Sequence, residues 1–289
     1  MISTSRFSSA AIVRGCACLI VIAAFSGLFA QRSIAALFVL SDDNSSAAFD
    51  TAVPANNFNW QVDGINQLNQ QAFWFRIGNV AEQSLHLLPI AGQVATNTNF
   101  DPANDTLFVR YNGAGFQADV RYVLDGGAPG SGASDMTEQI SITNTTSGPL
   151  DFHFFQYTDF DVNGTAGGDS GVFTNPNSVD QFEGILRFTE TVVTPVPSHR
   201  ELAFFNSTLV KLNDGVATTL IDAPPYGVVL GPGDLTWAYQ WDVLIQPGFT
   251  FQVSKDKQIA RVPEPGLASL ASLAVAALVA GYRRRPATR

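Results

Sequence analysis

The sequence predicts an all-β chain, with a single antiparallel β-sandwich ectodomain over residues 36–261 between two apolar termini. Three observations carry this. Apolar side chains recur with a period of two, turn-forming clusters interrupt them at short spacing, and the ectodomain holds no cysteine, so its stability has to come from a packed core. Phe116, Ala118, Val120, Tyr122 and Leu124 alternate with Gln117, Asp119 and Arg121, the pattern of a strand with one buried and one wet face. Leu235, Trp237, Tyr239, Trp241, Val243 and Ile245 repeat it, and Phe249, Phe251 and Val253 continue it after Pro247-Gly248, which reads as a hairpin. Similar runs predict strands over residues 106–111, 137–143, 150–162, 181–189 and 201–205.

Turn chemistry separates these runs, at Asp125-Gly126-Gly127, at residues 144–149 and 163–168, at Asn213-Asp214-Gly215 and at residues 231–234. One short helix is expected around residues 64–71, and the polar stretch 41–57 reads as a linker. Frequent turns between long antiparallel strands point to two packed sheets.

Charge narrows the partners. Of the chain's residues 46% are hydrophobic and 14% charged. Residues 36–261 hold nine basic against 24 acidic side chains, a net charge of −15. Binding a polyanion needs clustered Lys and Arg, so nucleic acid is excluded as a partner.

The two ends read as addresses. Arg6 and Arg14 precede an apolar run over residues 15–30, and Ser33-Ile34-Ala35 supplies small residues for cleavage, so residues 1–35 form a signal peptide; an uncleaved anchor is the alternative. Both cysteines, Cys16 and Cys18, fall inside it. At the other end, Val262-Pro263-Glu264-Pro265 precedes an uncharged run over residues 266–282, then Arg283-Arg284-Arg285. As a helix that run would be about 26 Å long, near the lower limit for a bilayer, with the arginines held on the cytoplasmic side.

This order over residues 262–289 resembles the PEP-CTERM sorting signal of Gram-negative bacteria. The resemblance implies recognition by an exosortase and cleavage near Pro263-Glu264-Pro265. It further implies transient anchoring in the inner membrane by a transmembrane sorting helix, and a final place in the cell envelope or outside it beside extracellular polysaccharide. A plain membrane anchor is the alternative. Residues 70–78, 142–144, 156–161, 240–242 and 254–257 are also similar, in order, to segments of PEP-CTERM ectodomains, which implies a β-sandwich and no particular activity.

Candidate sites are few. Asp159, Asp161 and Asn163 occupy positions 1, 3 and 5 of the first half of a calcium loop with Gly164 at 6, and Asp169 adds a carboxylate. Ser170 stands at position 12, which excludes an EF-hand and leaves a looser calcium site, or carboxylates solvated on a wet strand face. Gly168-Asp169-Ser170-Gly171 matches the string around a serine-protease nucleophile, but His86, His153 and His199 lack the context of a triad base. Phe73, Trp74 and Phe75 are consecutive, so a strand points one of them the other way; Trp74 is the candidate for stacking on a sugar, or it lies beneath a loop. The leading expectation is an exported, non-enzymatic protein associated with polysaccharide. The alternatives are a lectin resembling a carbohydrate-binding module and a carbohydrate-active hydrolase with paired carboxylates.

Overall fold

The structure, a computed structural model, describes residues 37–53 and 56–262; the expected signal peptide over residues 1–35 and the expected sorting segment after Val262 lie outside the described residues. In chain order the elements begin with β1 (Leu37–Asp42), β2 (Ser45–Asp50), β3 (Asn56–Val62), β4 (Ile65–Asn66), β5 (Leu68–Ile77) and β6 (Gln83–Ser84). They continue with β7 (Ile90–Thr96), β8 (Thr106–Gly113), β9 (Phe116–Gly126), β10 (Ser134–Asn144), β11 (Leu150–Phe160), β12 (Asp169–Asn175), β13 (Ser178–Glu183) and β14 (Leu186–Thr194). The last are β15 (His199–Phe204), the helix α1 (Ser207–Lys211), β16 (Leu230–Gly233), β17 (Leu235–Ile245) and β18 (Thr250–Arg261).

The first sheet runs β1-β2-β3-β5-β11-β17-β15, with β4 beside β3 and β6 beside β5; the second runs β16-β12-β13-β14-β18-β10-β9-β8-β7. All pairings are antiparallel except a short parallel contact of β3 with β5. Among the described residues, no helix is long and apolar enough to cross a membrane.

Four local expectations change. The stretch 41–57 is not a linker, because the backbone of residues 45–50 pairs as β2 with β1 on one side and β3 on the other. Residues 64–71 form no helix: Gly64, at φ +80°, closes a turn, and the chain then extends into β4 and β5. The run 181–189 is two strands, reversed at Gly184 (φ +57°). Finally, β17 and β18 do not pair across Pro247-Gly248. β17 lies between β11 and β15, and β18 between β14 and β10, so the turn carries the chain from one sheet to the other.

The inward faces interlock through aromatic rings. Phe160 of the first sheet meets Phe188 of the second at 3.8 Å between centroids, with Trp237 5.6 Å from Phe160. Beside this apolar packing, fully buried Glu138, Glu190, Lys255 and Lys257 form a closed polar cluster with Gln71 and Gln156. Gln71 Nε2 donates to Glu138 Oε1 at 2.5 Å, Gln156 Nε2 donates to both oxygens of Glu190 at 2.7 and 2.8 Å, and Trp237 Nε1 donates to Glu190 at 3.2 Å. Lys255 pairs with Glu138 and donates to Gln156, while Lys257 donates to Gln71. Two ammonium and two carboxylate groups cancel formally, which is what lets ions sit where no solvent reaches. Burial pushes the Glu138 carboxyl up, but the two lysines overcome this and hold it below its ordinary range. Burial pulls Lys257 down to about 8, with Glu138 opposing.

Candidate functional site

The first sheet buries one face against the second and turns the other outward. On β11 the inward side chains are Phe152, Phe154, Gln156 and Thr158, so His153, Phe155, Tyr157 and Asp159 face outward. By the same alternation β5 presents Ala72, Trp74 and Arg76, and β17 presents Thr236, Ala238, Gln240 and Asp242. The segment around α1 covers the middle of this face. Its Leu212 and Leu220 pack on Ala72, Trp74, Phe155, Tyr157 and Ala238 as a second apolar cluster. Lys211 and Thr208 both bond Glu201 Oε1 at 2.7 Å, which fastens α1 to β15.

At one end of that cover lies a row of histidines and aspartates. His153 and Asp242 are directly opposed on β11 and β17, with Nδ1 2.5 Å from Oδ1. On the next strand, His199 Nδ1 is 2.8 Å from Oδ2 of Asp222, which the covering segment delivers. A carboxylate only accepts, so each imidazole carries a proton on Nδ1 and directs Nε2 away from that partner. The Nε2 atoms come no nearer to carboxylates than 3.5 Å for His153 with Asp151 and 3.6 Å for His199 with Asp242. Gln240 joins the parts, accepting from the Leu220 N–H at 2.9 Å and donating to Asp242 at 2.8 Å.

Asp222 also accepts from the Arg200 N–H at 3.1 Å, at the rim of an open depression of about 440 Å³ lined by Ser198, Arg200, Asp222, Pro225 and Tyr226. The Tyr226 ring is half exposed, and the Arg200 guanidinium lies 3.8 Å from its centroid. An Asp–His pair whose aspartate lines the depression beside Tyr226 can move protons on a hydroxylated ring held there.

At the other end of the cover, Asp159 and Asp161 converge with Asp234, one oxygen from each lying within 4.8 Å of the others. Register explains Asp234: Asp159 opposes Thr236, and two residues further along each strand bring Asp161 to Asp234. Burial pushes Asp159 up to about 7, against a hydrogen bond from Asn69 and helped by Asp161 and Asp234. Burial also raises Asp161 and Asp234. Asp169 does not join this group. It is fully buried at the start of β12, where its Oδ2 accepts from Gln181 at 2.5 Å and from the Val162 N–H at 3.3 Å. Asn163 is exposed at φ +64°, with its N–H on Gln67.

Trp74 is buried beneath the covering segment, with Nε1 donating to Asn213 at 3.3 Å, so it offers no stacking surface to solvent. Ser170 sits on β12 with no histidine against it among the described residues, while His86 lies on Ser84. Of the sorting motif, Val262 is described, with its N–H on Ile185 at 2.7 Å; Pro263, Glu264, Pro265, Arg283, Arg284 and Arg285 lie outside the described residues. Sequence reasoning missed the histidine row because His153, His199, Asp222 and Asp242 are far apart in the chain. The available signal was that His153 and Asp242 occupy polar positions in strands whose alternate residues are aromatic.

No family model and no curated protein sequence matches the chain. Solved structures do match its fold. The Slr1438 protein from Synechocystis sp. PCC 6803 aligns at TM-score 0.53 and 10% identity, over 80% of this chain and 97% of its own. Galactose 1-epimerase from Lactobacillus acidophilus aligns at 0.50 and 9%, over 78% and 95%. A bacterial glucoamylase complexed with acarbose aligns at 0.51 and 7%, over 86% of this chain but 36% of the glucoamylase, so the chain spans about a third of that enzyme. These likenesses concern the fold, and they overturn the expectation of a non-enzymatic protein: this two-sheet architecture is one on which sugar-converting enzymes are built, the epimerase along nearly its whole length.

Proposed function

We propose that the chain is an exported carbohydrate-active enzyme that transfers protons on a saccharide held against the outward face of the first sheet. The observation that carries this is the pair of histidines, each tied through Nδ1 to an aspartate, with Nε2 at 3.5 and 3.6 Å from a second carboxylate. In such a pair the aspartate fixes the tautomer and stabilises the imidazolium that forms. A neutral Nε2 takes a proton from a sugar hydroxyl; a protonated one gives it to a ring or glycosidic oxygen. His199 is the principal acid–base residue in this reading, because its partner Asp222 lines the depression beside Tyr226. His153 supplies the second group across Asp242.

The test is turnover by the full chain. Anomer exchange of reducing sugars is followed by NMR, and release of new reducing ends from neutral polysaccharides is followed in parallel. Activity that falls at least a hundredfold in His199→Asn supports the reading, and equal activity in wild type and variant removes it.

The termini add an address to this activity. The signal peptide over residues 1–35 and the motif over residues 262–289 support export, exosortase processing and a place near extracellular polysaccharide. Glu264→Ala should then leave the chain unprocessed in its host, as an uncut band on a membrane-fraction blot; normal processing would remove the sorting reading.

A further inference from the structure

We propose that Asp159, Asp161 and Asp234 form a divalent-cation site of the calcium class that ties the end of β11 to the start of β17. The site stands apart from the histidine row, at the opposite end of the covered face, and its ligand set differs from the loop that spacing alone suggested. Asp234 enters it, and Asp169 leaves it for the interior.

Two independent observations support it. The first is convergence: one carboxylate oxygen from each residue lies within 4.8 Å of the others, and none of the three is in an ion pair with Lys, Arg or His among the described residues. Such a group repels itself unless a proton or a cation relieves it. The second is an unsatisfied atom. Asp159 is only 1% exposed; its Oδ2 accepts from Asn69 Nδ2 at 2.9 Å, but its buried Oδ1 has no hydrogen-bond partner. A buried carboxylate oxygen without a partner calls for an explanation, and an ion that meets it supplies one.

Asp161 and Asp234 are half-buried, so the group opens to solvent and an ion has a way in. Three carboxylates are hard donors, which favours calcium, magnesium or manganese over thiophilic metals. Calcium bonds of about 2.4 Å bridge oxygens up to about 4.8 Å apart, whereas magnesium bonds of about 2.1 Å bridge only about 4.2 Å and demand near-octahedral order. Oxygens within 4.8 Å of one another lie inside calcium's reach, and its irregular shell tolerates a group that is open to solvent, with water completing it.

The test uses the full chain, stripped with EDTA and then given about 5 mM CaCl2, MgCl2 or NaCl at matched ionic strength. Calcium is expected to raise Tm by roughly 3 °C or more, and magnesium by less. The calcium shift should vanish in Asp161→Asn and Asp234→Asn and persist in Asp43→Asn, a carboxylate outside the group. Because an asparagine variant can fail to fold, calorimetric titration of the wild type with calcium gives a second readout, expected at one ion per chain. No rise in Tm and no binding heat in the wild type would overturn the proposal, as would an unchanged rise in a folded Asp234→Asn.

Discussion

Glu138 and Lys255 stand directly opposite one another on β10 and β18 and form an ion pair that solvent does not reach. The pair is the centre of the cluster that also holds Glu190, Lys257, Gln71 and Gln156, and the cluster spans both sheets. Its glutamines belong to the first sheet and its charges to the second, so it resists sliding of one sheet over the other as apolar packing alone would not. Replacing Glu138 with Ala leaves two buried ammonium groups facing one remaining carboxylate. That should cost about 3–5 kcal/mol in urea unfolding, the range for breaking one side of a buried pair. Lys257→Met should cost less, because burial already disfavours that ammonium.

Stability should also depend on pH through Asp135. Burial, then a hydrogen bond and charge repulsion from Asp256, then Asp125, push its carboxyl up to about 7. A carboxyl whose folded pKa lies above its unfolded value holds extra protons in the native state. Its contribution is therefore fully present below about pH 4 and is lost as pH rises towards 7. Asp135→Asn keeps a neutral group at the position, so its Tm should fall less between pH 4 and 7 than that of the wild type. Parallel profiles would show that Asp135 does not titrate in this range.

The histidine row predicts a separation of activity from stability. Asp222→Asn leaves His199 without its carboxylate and frees the wrong tautomer, so kcat/KM on any saccharide turned over should drop about 10²- to 10⁴-fold. Both residues are partly exposed, so unfolding free energy should change by no more than about 0.5 kcal/mol. A variant that loses stability and activity together would assign Asp222 a purely structural role.

Leu220 couples the cover to the site. Its side chain is buried against the outward face, and its N–H holds Gln240, which in turn holds Asp242. Leu220→Ala should cost about 2–3 kcal/mol, at the lower end for a Leu truncation because a surface segment can settle into the space. Activity should fall as well, since Asp222 follows two residues later. Full activity in a destabilised variant would show that the cover does not position the row.

The strands were legible because burial on one face leaves a period of two in the chain, and β9, β10, β11 and β17 each carry that mark. Two errors have physical causes. Short polar strands such as β2 hold few branched apolar residues, so 41–57 read as a linker. The turn at Pro247-Gly248 looks like a hairpin whether its strands share a sheet or face each other across the core. The site was less legible. Asp159 and Asp161 were visible as a spaced pair, but Asp234 reaches them through the register of β11 with β17. Asp222 reaches His199 only because the segment around α1 folds back over the sheet.

By itself, then, the sequence determined the all-β class, the acidic balance of residues 36–261, and the position of most long strands. Each of these follows from composition or from local periodicity, which act within a few residues. Only the tertiary structure decided which lysines and glutamates cancel in the interior, that Trp74 is covered, and that two histidines and two aspartates form one row. Those outcomes depend on strand order and register, and residues as distant as His153 and Asp242 become neighbours through sheet pairing that no local pattern encodes.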